Sequence, residues 1–135
     1  MDNWYAEIES KVFTIVKTRM LKKYKTKYPK MDFTTDIENN TPKEFPTIFI
    51  HQISQSETAQ TLSYDHINLV RTSFEVIVTT NTSKEDCRKI SAMVIEEMKA
   101  LAFNQDQQSP AMVDSDLFRC VTRYSGLIDS RLFNR

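Results

Sequence analysis

Apolar and polar positions alternate along this chain with two distinct periods. Trp4, Tyr5, Ile8, Val12, Ile15 and Val16 recur at helical spacing behind Asp2, whose carboxylate can accept from the free amides of a first turn. They predict a helix from about residue 3 to 24, ending before Pro29. Beyond Val16 the same face would carry Arg19, Lys22 and Lys23, so the helix is expected to leave the core there. Residues 31 to 46, polar and broken by Pro42 and Pro46, read as a connector. Residues 47 to 53 (Thr-Ile-Phe-Ile-His-Gln-Ile) are β-branched and aromatic and read as a first strand. From residue 67 to 80 the even positions Val70, Thr72, Phe74, Val76 and Val78 form one face, which predicts a long second strand with that face buried. Thr82-Ser83-Lys84-Glu85 has capping-box spacing, and Cys87, Ile90, Val94, Met98 and Leu101 follow as a stripe, giving a second helix over about 83 to 102. Residues 117 to 124 read as a third strand with even core positions, and residues 131 to 135 as a short fourth strand after turn chemistry at Asp129-Ser130. The polar stretches 54 to 65 and 104 to 116 read as long loops, mobile in the isolated subunit and ordered against a partner.

The order α-β-β-α-β-β implies an α+β fold: an antiparallel or mixed four-stranded sheet with two helices packed on one face. Ile8, Val12, Phe74, Val76, Ile90, Val94 and Met98 are the expected core. At 135 residues and 15.8 kDa the expectation is a single domain spanning 1–135. No apolar run approaches the ~18 residues that cross a bilayer, so no membrane partner is expected. The N-terminus shows no basic segment followed by an apolar one, which reads as intracellular synthesis. Cys87 and Cys120, far apart in the sequence, read as two buried thiols.

Charge changes this picture. Lysines and arginines balance acids at 18 each, yet residues 11 to 30 hold eight cations and no acid. The remainder carries ten basic against eighteen acidic side chains. Such a polarised chain can attract a copy of itself as readily as a nucleic acid. Lysines in a last helical turn also favour the helix macrodipole, by about 0.3 to 1 kcal/mol each.

The chemistry of catalysis is missing from the sequence. A phosphate-cradling loop needs several glycines, and Gly126 is alone. His51, His66, Cys87 and Cys120 share no metal-ligand spacing, and no nucleophile elbow is present. His51, opposite Ile48 and Ile50, reads as an exposed strand residue. The chain is therefore expected to be no enzyme, with no catalytic, cofactor-binding or metal-binding residues and no cofactor. Two readings remain. One is a structural subunit. The other is a small nucleic-acid-binding module using the basic 11–30 segment with Tyr24 and Tyr28 as stacking platforms. The second requires cations and aromatics on one face, whereas Lys17, Lys22, Lys23, Lys25 and Lys27 point around most of the helix, which favours a solvated end or a protein contact.

From about residue 43 onward the succession of segments resembles the tail terminator (tail completion) proteins of long-tailed phages and prophages. It is carried by Phe45-Pro46-Thr47 opening a strand and by Phe74-Glu75-Val76-Ile77-Val78 before a Thr/Asn/Ser turn. The helix ending Met98-Lys99-Ala100-Leu101-Ala102-Phe103 follows, then Phe118-Arg119-Cys120-Val121-Thr122-Arg123-Tyr124 before the terminal strand. The chain departs from the family at Ala102, where a glycine is expected. The resemblance implies a structural virion protein, assembled in the host cytoplasm and located in the tail-neck region. It would form a ring, usually hexameric, that caps the head-proximal end of the tail tube, terminates tail growth and provides the head-tail joining surface. Its partners would be itself, the tail tube protein and a head-closure or neck protein, with DNA contact compatible but not required. The alternative within the virion is another neck or head-closure connector subunit. The family carries no catalytic residues. The candidate interface residues are Lys22, Lys23 and Lys25 at the basic helix end, and Arg71, Glu75, Arg119 and Arg123 on the sheet face away from the helices.

Overall fold

The even-numbered face of β3 (Val70–Thr80) organises the molecule, because Val70, Thr72, Phe74, Val76 and Val78 are all buried while Arg71 on the other face is exposed. A computed structural model of the chain describes residues 4–35, 45–57, 70–108, 112–114 and 117–128. In these, the elements run α1 (Ile8–Tyr24), β1 (Asp32–Thr34), β2 (Thr47–Glu57), β3, α2 (Lys84–Ala100), β4 (Asn104–Gln108), β5 (Met112–Asp114) and β6 (Leu117–Ile128). A 3-10 turn, Trp4–Glu7, leads into α1.

Among the described residues the sheet has six strands in the order β1-β2-β3-β6-β4, with β5 also paired to β6. The central pairs β2–β3 and β3–β6 are antiparallel, and β1 joins β2 in parallel. The α+β class with two helices on one face stands, and the sheet is mixed; three of the four expected strands are present, and three short unexpected ones bring the described strands to six. Three short strands lie in segments expected to be loop or connector. β1 falls within the 31–46 connector, where Met31 and Phe33 are buried and the Asp32 amide donates to the Pro46 carbonyl at 3.0 Å. β4 and β5 fall within the expected 104–116 loop. β2 also runs on to Glu57, so the loop expected over 54 to 65 starts later, and its remainder from residue 58 lies outside the described residues, as does the expected strand over 131 to 135. β4 reads Asn-Gln-Asp-Gln-Gln, and backbone pairing to β6, not apolar burial, makes it a strand, whereas β1 buries Phe33 but is too short for a period to show.

Both helices cover the even face. α1 contributes Ile8, Val12, Val16 and Met20, four apart and fully buried, and α2 contributes Cys87, Ile90, Val94 and Met98. All seven expected core residues are buried. Helix α1 packs over β2 and against α2, which covers β3, β6 and β4. At the start of α2 the N-cap is Ser83, one residue later than the expected capping box: its hydroxyl accepts the Asp86 amide at 3.0 Å, and Thr82 donates to the Asp86 carboxylate at 2.7 Å. The start of α1 differs as well, since the α-helix begins at Ile8 after the 3-10 turn and Glu7 makes no side-chain cap bond; Asp2 lies outside the described residues.

The end of α2 fixes the joint between the layers. The Ala102 amide donates to the Lys99 carbonyl at 2.9 Å and the Phe103 amide to Met98 at 3.0 Å, the paired bonds of a Schellman motif. The motif needs a left-handed residue, and Ala102 supplies it at φ 70°. This is the position at which the sequence departs from an expected glycine. Phe103 then turns into the core, edge-on to Phe74 at 5.4 Å between centroids. Gly126 of β6 lies against this turn, where a Cβ would sit 3.0 Å from the Ala102 carbonyl oxygen and 3.2 Å from Phe103 Cδ1.

Candidate functional site

Two surfaces gather the candidate residues. The first is the odd-numbered face of the sheet. Register places His51 opposite Glu75 and Glu75 opposite Arg123, so the three side chains form a row across β2, β3 and β6. His51 Nε2 lies 3.1 Å from Glu75 Oε1, and Arg123 Nε donates to Oε2 at 3.0 Å. Burial by itself would raise the Glu75 pKa; the hydrogen bonds from His51 and then Arg123 outweigh it, holding the carboxyl below its ordinary value of 4.5. His51 faces away from Ile48 and Ile50, but instead of being exposed as expected it is half-buried in this network, its ring tilted against that of Phe49 at 4.6 Å between centroids.

The face grades along the strands. Thr47, Phe49 and Thr79 are buried at one end, whereas Arg71, Arg123 and Leu127 are exposed toward the other. Arg119 is half-buried beside Thr79, and Arg71 pairs in register with Leu127. No helix covers this face among the described residues. The bulge at Gln52/Ser54 switches which β2 side chains point to which face and leaves Ile53 46% exposed. Gln52 is held there by its neighbours: its amide donates to Glu9 of α1 at 2.7 Å, and its side chain donates to Thr72 at 2.7 Å.

The second surface is the basic half of α1. Lys22 and Lys25 are exposed. Lys23 is not a free surface cation: it spans the two helices to Glu97 of α2 at 2.8 and 3.1 Å. Glu97 is 3% exposed, and its hydrogen bond and charge raise the Lys23 pKa above its ordinary value. Arg19, Lys22, Lys23, Glu97 and Ala100 line a depression between the helices of about 490 Å³. Other cations of the run are engaged locally, Lys17 over Phe13 at 5.7 Å and Lys27 over Tyr28 at 5.5 Å.

The seven candidate residues thus divide into two groups. Arg71, Glu75, Arg119 and Arg123 share the odd face, where an ion pair joins Glu75 and Arg123, while Lys22, Lys23 and Lys25 sit on the helical layer. The sequence reading missed Glu97, although it falls three residues after Val94 and seven after Ile90, on the buried stripe. A carboxylate on an apolar stripe is a signal that a cation must be delivered to it.

The two cysteines are buried and free. The fold brings them together: Cys87 Sγ sits 3.3 Å from the Val78 carbonyl and 3.4 Å from that of Phe118. Burial, and then hydrogen bonding to Cys120, pushes its pKa upward, which keeps the thiol protonated and inert. Tyr124, also buried, is pushed up to about 12 by desolvation, against a hydrogen bond from Thr122 at 3.0 Å. Among the described residues no group of three or more His, Cys, Asp or Glu side chains could hold a metal ion, and no helix is long and apolar enough to cross a membrane.

No family model matches the chain, and no curated protein matches it. Among solved structures, the chain is similar to the bacteriophage SPP1 gp17 protein at 16% identity, over 90% of this chain and 92% of that one, with a TM-score of 0.47.

Proposed function

We propose that the protein is a structural, non-enzymatic subunit of a long-tailed phage that caps the head-proximal end of the tail tube, terminates its growth and joins it to the head. The observation that carries the reading is the succession of strand, turn, helix and strand segments from residue 43 onward that resembles tail terminator proteins. The odd sheet face supports it: charged side chains of both signs and exposed Leu127 lie on a surface no described helix covers, as a contact-making subunit requires. The acting unit is a ring, with tail tube protein on one side and a neck or head-closure protein on the other. A neck connector is the nearest alternative.

The test uses a tail tube protein from the same genome as this chain. Tubes polymerised with and without the purified protein are examined by negative-stain electron microscopy. Rings seated on one tube end, with elongation stopped at that end, are expected. Unaltered growth and bare ends at saturating protein would overturn the reading; binding to a portal or connector instead would favour the neck alternative.

A further inference from the structure

The C-terminal ends of the two helices meet at the depression of about 490 Å³ lined by Arg19, Lys22, Lys23, Glu97 and Ala100. Three cations line it against one carboxylate, and that carboxylate is spent: buried Glu97 takes the Lys23 ammonium on both of its oxygens, at 2.8 and 3.1 Å. Glu96, near enough to act on Lys23, is exposed and does not line the depression. Arg19 and Lys22 are left over. Among the described residues neither has an ion-pair or hydrogen-bond partner for its charged group. Lysines in a last helical turn answer the helix dipole, whose effect falls off within that turn. α1 ends at Tyr24, so the dipole accounts for Lys22 and Lys23 but not for Arg19, one turn earlier and half-buried. An unpaired guanidinium in that position has given up part of its water for no partner, and its planar fork is shaped to take a carboxylate on two donors.

Resting on the subunit reading above, we infer that this depression docks an acidic segment of a partner protein in the assembly, with one carboxylate gripped by Arg19 and a second met by Lys22. Lys23, tied to Glu97, forms a fixed wall, and the small side chain of Ala100 at the end of α2 leaves room for the incoming chain. The occupant is a protein carboxylate and not nucleic acid for two reasons. A depression of this volume holds a few side chains, and a duplex is too wide to enter it. The chain as a whole also carries no net charge to gather a polyanion, and Lys17 and Lys27, which an extended phosphate track would need, lie over the rings of Phe13 and Tyr28. Two cations make a weak contact per subunit, one that an assembly of several copies multiplies.

Titration of the full chain with a decaglutamate peptide, followed by NMR amide shifts, tests this. At about 0.15 M salt the shifts are expected to centre on Arg19, Lys22, Lys23 and Ala100, and they should vanish at about 1 M, where the Debye length falls to about 3 Å. One double variant carries Arg19→Gln and Lys22→Gln, with Lys23 left intact so that Glu97 keeps its partner. It should bind the peptide about tenfold more weakly or worse, the loss expected when charge-assisted hydrogen bonds are removed. A second carries Lys27→Gln and Lys30→Gln, which removes the same two charges from the basic run outside the depression and should weaken binding no more than about threefold. Arg19→Lys keeps the charge, loses the fork and should fall between them. If Arg19→Gln disturbs the fold, the same spectra reveal it and Arg19→Lys carries the comparison. Equal losses in the two double variants, shifts centred elsewhere, or no shift at millimolar peptide would each overturn the site. Duplex DNA that binds more tightly than the peptide, with binding lost in the Arg19 and Lys22 variant, would overturn it in favour of nucleic acid. The titration needs no tube protein, so its failure is distinct from a failure to cap tubes.

Discussion

Phe74 and Glu75 are neighbours on β3 that point to opposite faces of the sheet, and they are held by different physics. Phe74 is fully buried beneath the helices, where Phe103 meets its ring edge-on. Glu75 is a carboxylate 17% exposed on the other face, held by His51 and by Arg123, itself 55% exposed. Burial on the first face is non-directional and large. Ion pairing on the second is directional, partly screened and small. The inner face therefore carries the stability of the subunit, and the outer face is left to carry specificity. A surface whose polar groups contribute little to folding can change its partners without unfolding the chain.

The largest effect should follow from Phe74→Ala. Removing a fully buried aromatic loses its transfer free energy and leaves a cavity, about 3–5 kcal/mol in sum. Urea denaturation should show the loss as a lower midpoint with the slope nearly unchanged. A loss below about 1 kcal/mol would mean that the inner face collapses around the gap, and the contrast between faces would fail.

That contrast also explains what could be read from the sequence. The inner face was legible because burial imposes a period: two on Val70, Thr72, Phe74, Val76 and Val78, and near four on Ile8, Val12, Val16 and Met20. Where strands are made by backbone pairing, no period exists to find. β4 has no apolar residue, and β1, at three residues, is too short to alternate measurably. The candidate site was legible only in part. That Arg71, Glu75, Arg119 and Arg123 share one face follows from alternation, but that Glu75 meets both His51 and Arg123 depends on a register no single strand encodes. Lys23 looked like any other lysine of the run until its partner across the helix pair was known.

At the seam between layers, Gly126→Ala should cost less than Phe74→Ala, about 1–3 kcal/mol. The added methyl would press on the backbone carbonyl of Ala102, which cannot rotate away, and on the Phe103 ring. Thermal unfolding measures it. An unchanged midpoint would show that the turn after α2 yields easily.

On the outer face, Glu75→Gln should cost no more than about 1 kcal/mol at neutral pH, in keeping with a partly exposed pair. Its pH dependence is more diagnostic. The folded-state pKa lies below 4.5, so the carboxylate's contribution is complete above that value and is lost as pH falls through the depressed folded pKa. Wild type and variant should therefore converge as pH falls below 4.5. A difference that grew on acidification would reverse the sign and refute the network.

The smallest effect tests the backbone without touching either face. Ala102 holds φ 70°, a conformation that costs an L-residue about 1–2 kcal/mol and a glycine almost nothing. Glycine, however, gains more freedom in the unfolded chain, which returns about 0.4–1 kcal/mol. Ala102→Gly should then stabilise the protein by a net of about 0.5 kcal/mol. The substitution removes one exposed methyl and leaves the Schellman bonds of Ala102 and Phe103 in place. The association of subunits should accordingly be unchanged, while the denaturation midpoint rises slightly. Destabilisation would indicate that the Ala102 methyl contributes packing against the β6 strand behind it, and that the end of α2 is built around alanine and not merely tolerant of it.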